Sequence, residues 1–227
     1  MTALSPTTLI AFHGTTAGRF ESFEPKIRKG EQLGFGIHFS SDPSFAKLYA
    51  TDPFTARKGK QPTIYIVELE MHRLLLANKI VKEGTREFEF AKKLAGRKFW
   101  SSKDEDGIPC AWLQSALDAT SPVRARELIS EAGYDSVRYE SVLGTRGLNA
   151  RVIAKSLSYL VLSSDQIRII SSLDLTKAPL LGCNPSEQDM DLKKRVRQIM
   201  VAAKAEKIAN SNDNEGSKYK MKGNQLP

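Results

Sequence analysis

The sequence predicts an α+β fold, with strands and helices in separate stretches, and three observations carry that expectation. Four short runs, residues 8–12, 64–69, 136–139 and 159–162, are rich in β-branched and aromatic residues, as half-buried strands require. Helical periodicity occupies the stretches between them. The apolar share is 41% against 26% charged residues, enough for a sizeable core without metal or disulfide staples.

The elements follow in chain order. Ser41-Asp42-Pro43 is a helix start: a Ser or Asp side chain caps orphan N–H groups and proline suits the first helical position. Phe45, Leu48 and Tyr49 then recur at helical spacing, which puts Tyr49 on the face shared with Phe45. Residues 86–94 and 123–132 also read as helices, the second stopped at Gly133 as a left-handed cap. Gly182-Cys183-Asn184-Pro185-Ser186 breaks the chain, and residues 187–208 predict a basic amphipathic helix. Leu192, Val196, Ile199 and Ala203 form its stripe, with Lys193, Lys194, Arg195, Arg197 and Lys204 around it. That helix reads either as a solvated face docked by its stripe or as a contact for an acidic partner. Residues 209–227 are polar and are expected to be disordered. The expected domain therefore spans residues 1–181, and no internal repeat is evident.

Cys110 and Cys183 lie far apart and lack the partners of a Cys/His metal pattern, so both are expected to be free thiols and no metal site is expected. Met1 to Thr8 has no basic region followed by an apolar run, and no stretch has the uncharged length that spans a bilayer. The expectation is a cytoplasmic protein without a membrane partner, or one delivered into a host cell without a classical signal peptide. A net charge of +8 and a pI near 9.4 favour an acidic partner: nucleic acid, a nucleotide or an anionic surface.

Two of the three histidines sit beside glycines at strand ends. His13 closes an apolar run in Phe12-His13-Gly14-Thr15-Thr16, and His38 lies within Gly34-Phe35-Gly36-Ile37-His38-Phe39-Ser40-Ser41. A strand end running into glycine lets a ligand approach the backbone closely and leaves N–H and C=O groups to bond it, which suits a planar amide. Either histidine alone reads equally as a buried ring satisfied by a backbone carbonyl.

The segment from Phe12 to Tyr49 resembles the NAD-binding half of the ADP-ribosyltransferase superfamily, in its poly(ADP-ribose) polymerase and diphtheria-toxin-like branch. There, a His-Gly-(Ser/Thr) strand end precedes Gly-Ile-Tyr-Phe and a helix ending in a second tyrosine. This chain has His13-Gly14-Thr15, Gly36-Ile37-His38-Phe39 and Tyr49. Gly133-Tyr134-Asp135-Ser136-Val137 and Ser158-Tyr159-Leu160-Val161-Leu162, with Gln166-Ile167 beyond, resemble the closing motifs of small bacterial and phage-encoded members. The resemblance covers residues 8 to 170 and implies a split pair of small β-sheets with flanking helices and NAD as substrate. It implies that His13 bonds the ribose next to nicotinamide, that Gly14 backbone groups bond its carboxamide, that His38 and Tyr49 sandwich the ring, and that Thr15 belongs to the same NAD-binding set. By analogy with such members the chain is expected to be a toxin, effector or phage weapon.

The chain departs from that pattern at two places. His38 replaces a tyrosine, keeping a flat ring but adding a titratable nitrogen. Ser158 stands where the family has its catalytic glutamate, a carboxylate that stabilises a cation-like transition state. Glu140, on the preceding predicted strand, is the candidate for the missing acid. The leading expectation is mono-ADP-ribosyl transfer from NAD to an acidic macromolecular acceptor, protein or nucleic acid. Two others stand beside it. One is a non-catalytic NAD- or partner-binding module, and the other is an enzyme like the NAD-dependent RNA 2′-phosphotransferases, whose arginine-rich signatures are not visible here.

Overall fold

A computed structural model describes residues 6–27, 33–51, 61–144, 152–177, 181–182 and 184–220. The chain forms two compact units, Met1–Lys177 and Ala178–Pro227. In the first, the order is β1 (Thr7–Thr15), β2 (Ile37–Ser40), α1 (Pro43–Thr51), β3 (Thr63–Met71), β4 (Leu74–Leu76), β5 (Ile80–Lys82) and α2 (Arg86–Ala95). There follow β6 (Ser102–Lys103), β7 (Pro109–Trp112), α3 (Leu113–Ala119), α4 (Pro122–Glu131), β8 (Ser136–Gly144), β9 (Val152–Val161) and β10 (Ile167–Asp174). The fold is thus α+β, as the composition and patterning require.

Among the described residues, seven strands form a mixed sheet in the order β10-β3-β1-β2-β9-β8-β4, and β5-β7-β6 form a second, three-stranded sheet. Two small sheets were expected from the resemblance; instead, the large sheet is continuous but joined at one place. β1 pairs with β3 along its length, from Thr7 opposite Met71 to Thr15 opposite Thr63, whereas β1 meets β2 at the single pair Phe12–Ser40. β2 continues into β9 and β9 into β8, both antiparallel, and β4 lies parallel to β8. The sheet therefore consists of a three-stranded half and a four-stranded half.

Helix α1 explains why the halves part. Asp42 caps its start, accepting from Ser44 N at 2.9 Å through its side chain and from Ala46 N at 3.1 Å through its carbonyl. A Cβ built on Gly14 would lie 1.8 Å from the carbonyl oxygen of Ala46 and 3.0 Å from the Ala50 nitrogen. The helix backbone thus occupies the space that a side chain would fill on β1, just beyond the Phe12–Ser40 pair. This gives Gly14 a packing role in the protein itself.

The register assigns each face. Ala11, Tyr65, Val67, Leu69, Ile37, Phe39, Tyr159 and Val161 share one cluster with Phe23. Val137, Tyr139 and Leu160, on the other face of β8 and β9, join Phe88, Leu94, Leu113, Leu117, Leu128 and Ile129 from α2, α3 and α4. Local chemistry agrees with the helix starts: Thr85 accepts from Phe88 N at 3.1 Å, and Ser121 precedes Pro122 at the head of α4. Gly133 has φ +81°, as its reading as a left-handed stop requires.

In the second unit, α5 runs from Pro185 to Lys220. Residues 209–220 are therefore helical, where disorder was expected. Once a helix is nucleated each added residue needs only one hydrogen bond, and proline is absent between Pro185 and Pro227. Leu192 and Val196 on its stripe are buried, and Asp191 pairs with Arg195 at 2.9 Å one turn on. Cys110 is a buried free thiol; Cys183 lies outside the described residues. No helix of the described residues is long and apolar enough to cross a membrane, and no group of three His, Cys, Asp or Glu among them could hold a metal ion.

Because the α1 backbone fills the place of a side chain at residue 14, Gly14→Ala is expected to destabilise the fold by about 1–3 kcal/mol, the range for overpacking. Guanidinium unfolding measures it; an unchanged midpoint would mean that α1 is not seated on β1.

Candidate functional site

The parting of β1 from β2 leaves backbone groups that the sheet no longer pairs, and His13 serves one of them. Its Nδ1 lies 2.8 Å from the carbonyl oxygen of His38, across the gap between the strands. A carbonyl only accepts, so Nδ1 of His13 carries the proton and, in the neutral ring, Nε2 is the acceptor. The ring packs edge-on against Phe23 at 5.1 Å and lies 5.7 Å from Phe39 and 6.4 Å from Phe20. Tyr65, directly opposite His13 in the register, fixes that wall: its hydroxyl donates to the Phe20 carbonyl at 2.9 Å and accepts from the Phe20 N–H.

His38 lies on the opposite face of the sheet from His13, because Phe12 and Ser40 are paired and side chains alternate along each strand. Its Nδ1 is 2.6 Å from the hydroxyl of Tyr139, and the two rings meet edge to face at 5.7 Å. Tyr139 is directly opposite Ser158 in the β8–β9 pair, and Ser158 is directly opposite Ser40 in the β2–β9 pair. Hydroxyls of Ser141 and Ser158 both hydrogen-bond the Tyr139 phenol. Ser40 and Ser156 extend the polar row, with Oγ atoms 2.7 Å apart. Tyr139 and Ser158 are each 2% exposed. Burial pushes the Tyr139 phenol well above the usual tyrosine range, with Tyr49 adding to the rise, so the hydroxyl is neutral at physiological pH.

The residues expected from sequence divide accordingly. His38, Ser158 and Tyr49 are brought together around Tyr139: two by hydrogen bonds, and Tyr49 by a electrostatic influence on the phenol from α1, where its ring is 40% exposed and stacks edge-on to Phe45 at 5.4 Å. His13 joins them through the His38 backbone. Gly14 faces α1, and Thr15 uses its hydroxyl to accept from Ala17 N at 3.0 Å. Glu140 is not brought in: alternation turns it away from Tyr139, and its carboxylate pairs with Lys155 at 3.0 Å in an exposed position. Its backbone is clamped by Gln114, whose amide donates to the Glu140 carbonyl at 2.8 Å and accepts from its N–H at 2.9 Å.

Sequence reasoning missed Tyr139, Ser40, Ser141, Ser156 and Asp118. Asp118 lies one turn beyond Gln114 on α3, so the clamp that holds α3 against β8 sets that carboxylate on the same side of the helix. It acts on Tyr139 electrostatically, and partial burial raises its own pKa against a hydrogen bond from the Leu33 backbone that lowers it. The closing motifs resolve to structural duties. Asp135 accepts from the backbone N–H groups of His72 and Arg73 at 2.9 and 3.1 Å, and Gln166 accepts from those of Leu162 and Ser163 at 3.2 and 3.1 Å.

No protein-family model matches the chain, and no curated protein matches it. Among solved structures it is similar to one described as the crystal structure of an anti-CRISPR protein, at 15% identity and a TM-score of 0.31, over 73% of this chain and 96% of that one. A likeness that loose carries no argument about this chain.

Since the Asp118 pKa is raised on folding, stability that its protonated form holds below the ordinary aspartate value of 3.8 is lost as pH rises through the folded value. Asp118→Asn is neutral at every pH and is expected to unfold at a slightly higher temperature than the parent at pH 7, the gap closing toward pH 3. The residue is more than a third exposed, which keeps the effect small. Melting curves across that range test it; an equal gap at both ends would assign the change to something other than ionisation.

Proposed function

We propose that the chain is a mono-ADP-ribosyltransferase with an ADP-ribosyltransferase-like split sheet, taking NAD as substrate and a macromolecular acceptor, protein or nucleic acid. The observation that carries this reading is the convergence of His38, Tyr49 and Ser158 on one buried hydroxyl beside the split, with His13 tied to the His38 backbone. These residues come from four separate elements and match the motif positions of the resembled family. The single Phe12–Ser40 pair supports the split, since it divides the large sheet where that family binds its nucleotide.

The site fits the substrate in its donors and acceptors. His38 offers a flat ring on the face of the sheet that also carries Tyr139 and Ser158, which suits a planar pyridinium, while His13, on the opposite face, acts on the site by bonding the His38 carbonyl. Tyr49 exposes an aromatic face from α1, and such stacking contributes about 1 kcal/mol beyond area burial. NAD supplies a labile bond between nicotinamide and a ribose carbon that becomes cationic as it breaks. This chain's residues hold the ribose, orient the ring and lower that barrier without a carboxylate at residue 158.

Labelled NAD⁺ incubated with the chain is expected to release nicotinamide and to leave label on the acceptor. His13→Ala is expected to abolish turnover, and Tyr49→Ala to raise the KM for NAD⁺ roughly tenfold. Intact NAD⁺ after prolonged incubation, with binding still seen by calorimetry, would favour a second reading, that of a non-catalytic NAD-binding module. The neutral, buried Ser158 is the observation on its side.

A further inference from the structure

We propose that the outer face of the three-stranded sheet is a stacking platform for single-stranded nucleic acid, with bases laid on Trp100 and Trp112 and phosphates met by Lys79, Arg97 and Lys98. The strands fix which side chains face outward. Val81 and Ala111 belong to the core cluster, and Phe99, in extended backbone, packs against it with its ring edge-on to Phe88 at 5.5 Å. Alternation then turns their neighbours Ile80, Trp112 and Trp100 to the other side. Ile80 is directly opposite Trp112 in the β5–β7 pair, and the β6–β7 register, with Ser102 opposite Cys110, brings Trp100 alongside Trp112 when continued by two residues. Ile80, Trp112 and Trp100 are 47%, 48% and 54% exposed, and the row holds both tryptophans of the chain.

Charge is graded along the same sheet. Lys79 precedes Ile80, and Arg97 and Lys98 precede Trp100, so the tryptophan end is basic; all three are exposed, and none is paired with a carboxylate among the described residues. Acidic residues gather at the other end, where Asp104, Glu105 and Asp106 form the β6–β7 turn and Lys82 holds Asp104 at 2.5 Å and Asp106 at 3.6 Å. An anionic chain crossing the tryptophan end therefore meets cations without displacing an ion pair. Neither indole makes a ring contact among the described residues, so no other aromatic already covers their faces. Size favours bases over a protein partner. An apolar row this short is small beside the roughly 20–30 residues that each side of a stable protein interface takes, whereas stacking needs one aromatic face per base. A duplex keeps its base faces stacked inside, so only a single strand offers them.

Because both tryptophans lie on the platform, indole fluorescence reads it without a label. A mixed-sequence DNA strand of about 16 nucleotides, added at low salt, is expected to quench that fluorescence, and the same strand in a duplex to leave it unchanged. Affinity is expected to fall with salt at a logarithmic slope of about −2, or about 0.7 for each of Lys79, Arg97 and Lys98. Trp100→Ala and Trp112→Ala are each expected to weaken binding about tenfold, read by the anisotropy of a dye-labelled strand, with the melting temperature of the chain unchanged. Full-strength binding when both are alanine would overturn the proposal, as would a duplex bound as tightly as the single strand, or no quenching at low salt. A chain that dimerises in solution, with the dimer lost in Trp112→Ala, would also overturn it and assign the row to a protein interface.

Discussion

The one backbone pair between Phe12 and Ser40 is the constraint on which the rest of the first unit depends. Extended by two residues, the pairing would close β1 onto β2 and bury His13 and His38 in an ordinary ladder. It stops because α1 follows β2 within three residues and packs its backbone into the space above Gly14. Strands that part must find other partners for their N–H and C=O groups, since an unpaired buried group costs about as much as a lost hydrogen bond. The His13 ring supplies one such partner by bonding the His38 carbonyl. Packing at a glycine, a break in a ladder and the placing of an imidazole are thus consecutive steps of one local event.

Much of this was legible in one dimension where the signals are local. The long strands β1, β3 and β8 contain three of the β-prone runs and β9 all but the last residue of the fourth, and α1, α2 and α4 begin at the capping residues that their sequences display. The two- to four-residue strands β2 and β4 to β7 are too short for periodicity to register, and α3 starts after Trp112 with no capping side chain. The site was legible only in part, for a different reason. Tyr139 read as one more aromatic in a strand, because nothing local says that it stands opposite Ser158 or that His38 lies within 2.6 Å of it. Register also decides between neighbours: a shift of one residue exchanges faces, and Glu140, the acid expected from its place on the strand, turns away while Tyr139 points inward.

The glycine of the His-Gly motif bears on how such resemblances are used. Read alone, it suggests a backbone kept open for a ligand. In the structure the space beside Gly14 is taken by α1, so the motif's second residue is accounted for by packing within the chain. Asp135 and Gln166 behave likewise, each holding two backbone N–H groups at a turn. What distinguishes the site is the set of side chains that have no such duty: the His38 ring, the Tyr139 hydroxyl and the hydroxyls of Ser141 and Ser158.

The three hydroxyls among them are neutral, and burial explains why a charge is not kept beside them. A carboxylate at residue 158 would lose most of its hydration in a position only 2% exposed, directly opposite a phenol that is equally buried. Such a group either finds a cation or takes up a proton, and a protonated acid gives no charge to a cationic transition state. Directly opposed residues of an antiparallel pair share the same space, so the large Tyr139 and the small Ser158 constrain each other's volume as well as their bonding. Enlarging one without reducing the other would drive the phenol off His38. The serine at 158 is therefore one half of a packed pair, and the pair together keeps a neutral phenol against the His38 ring.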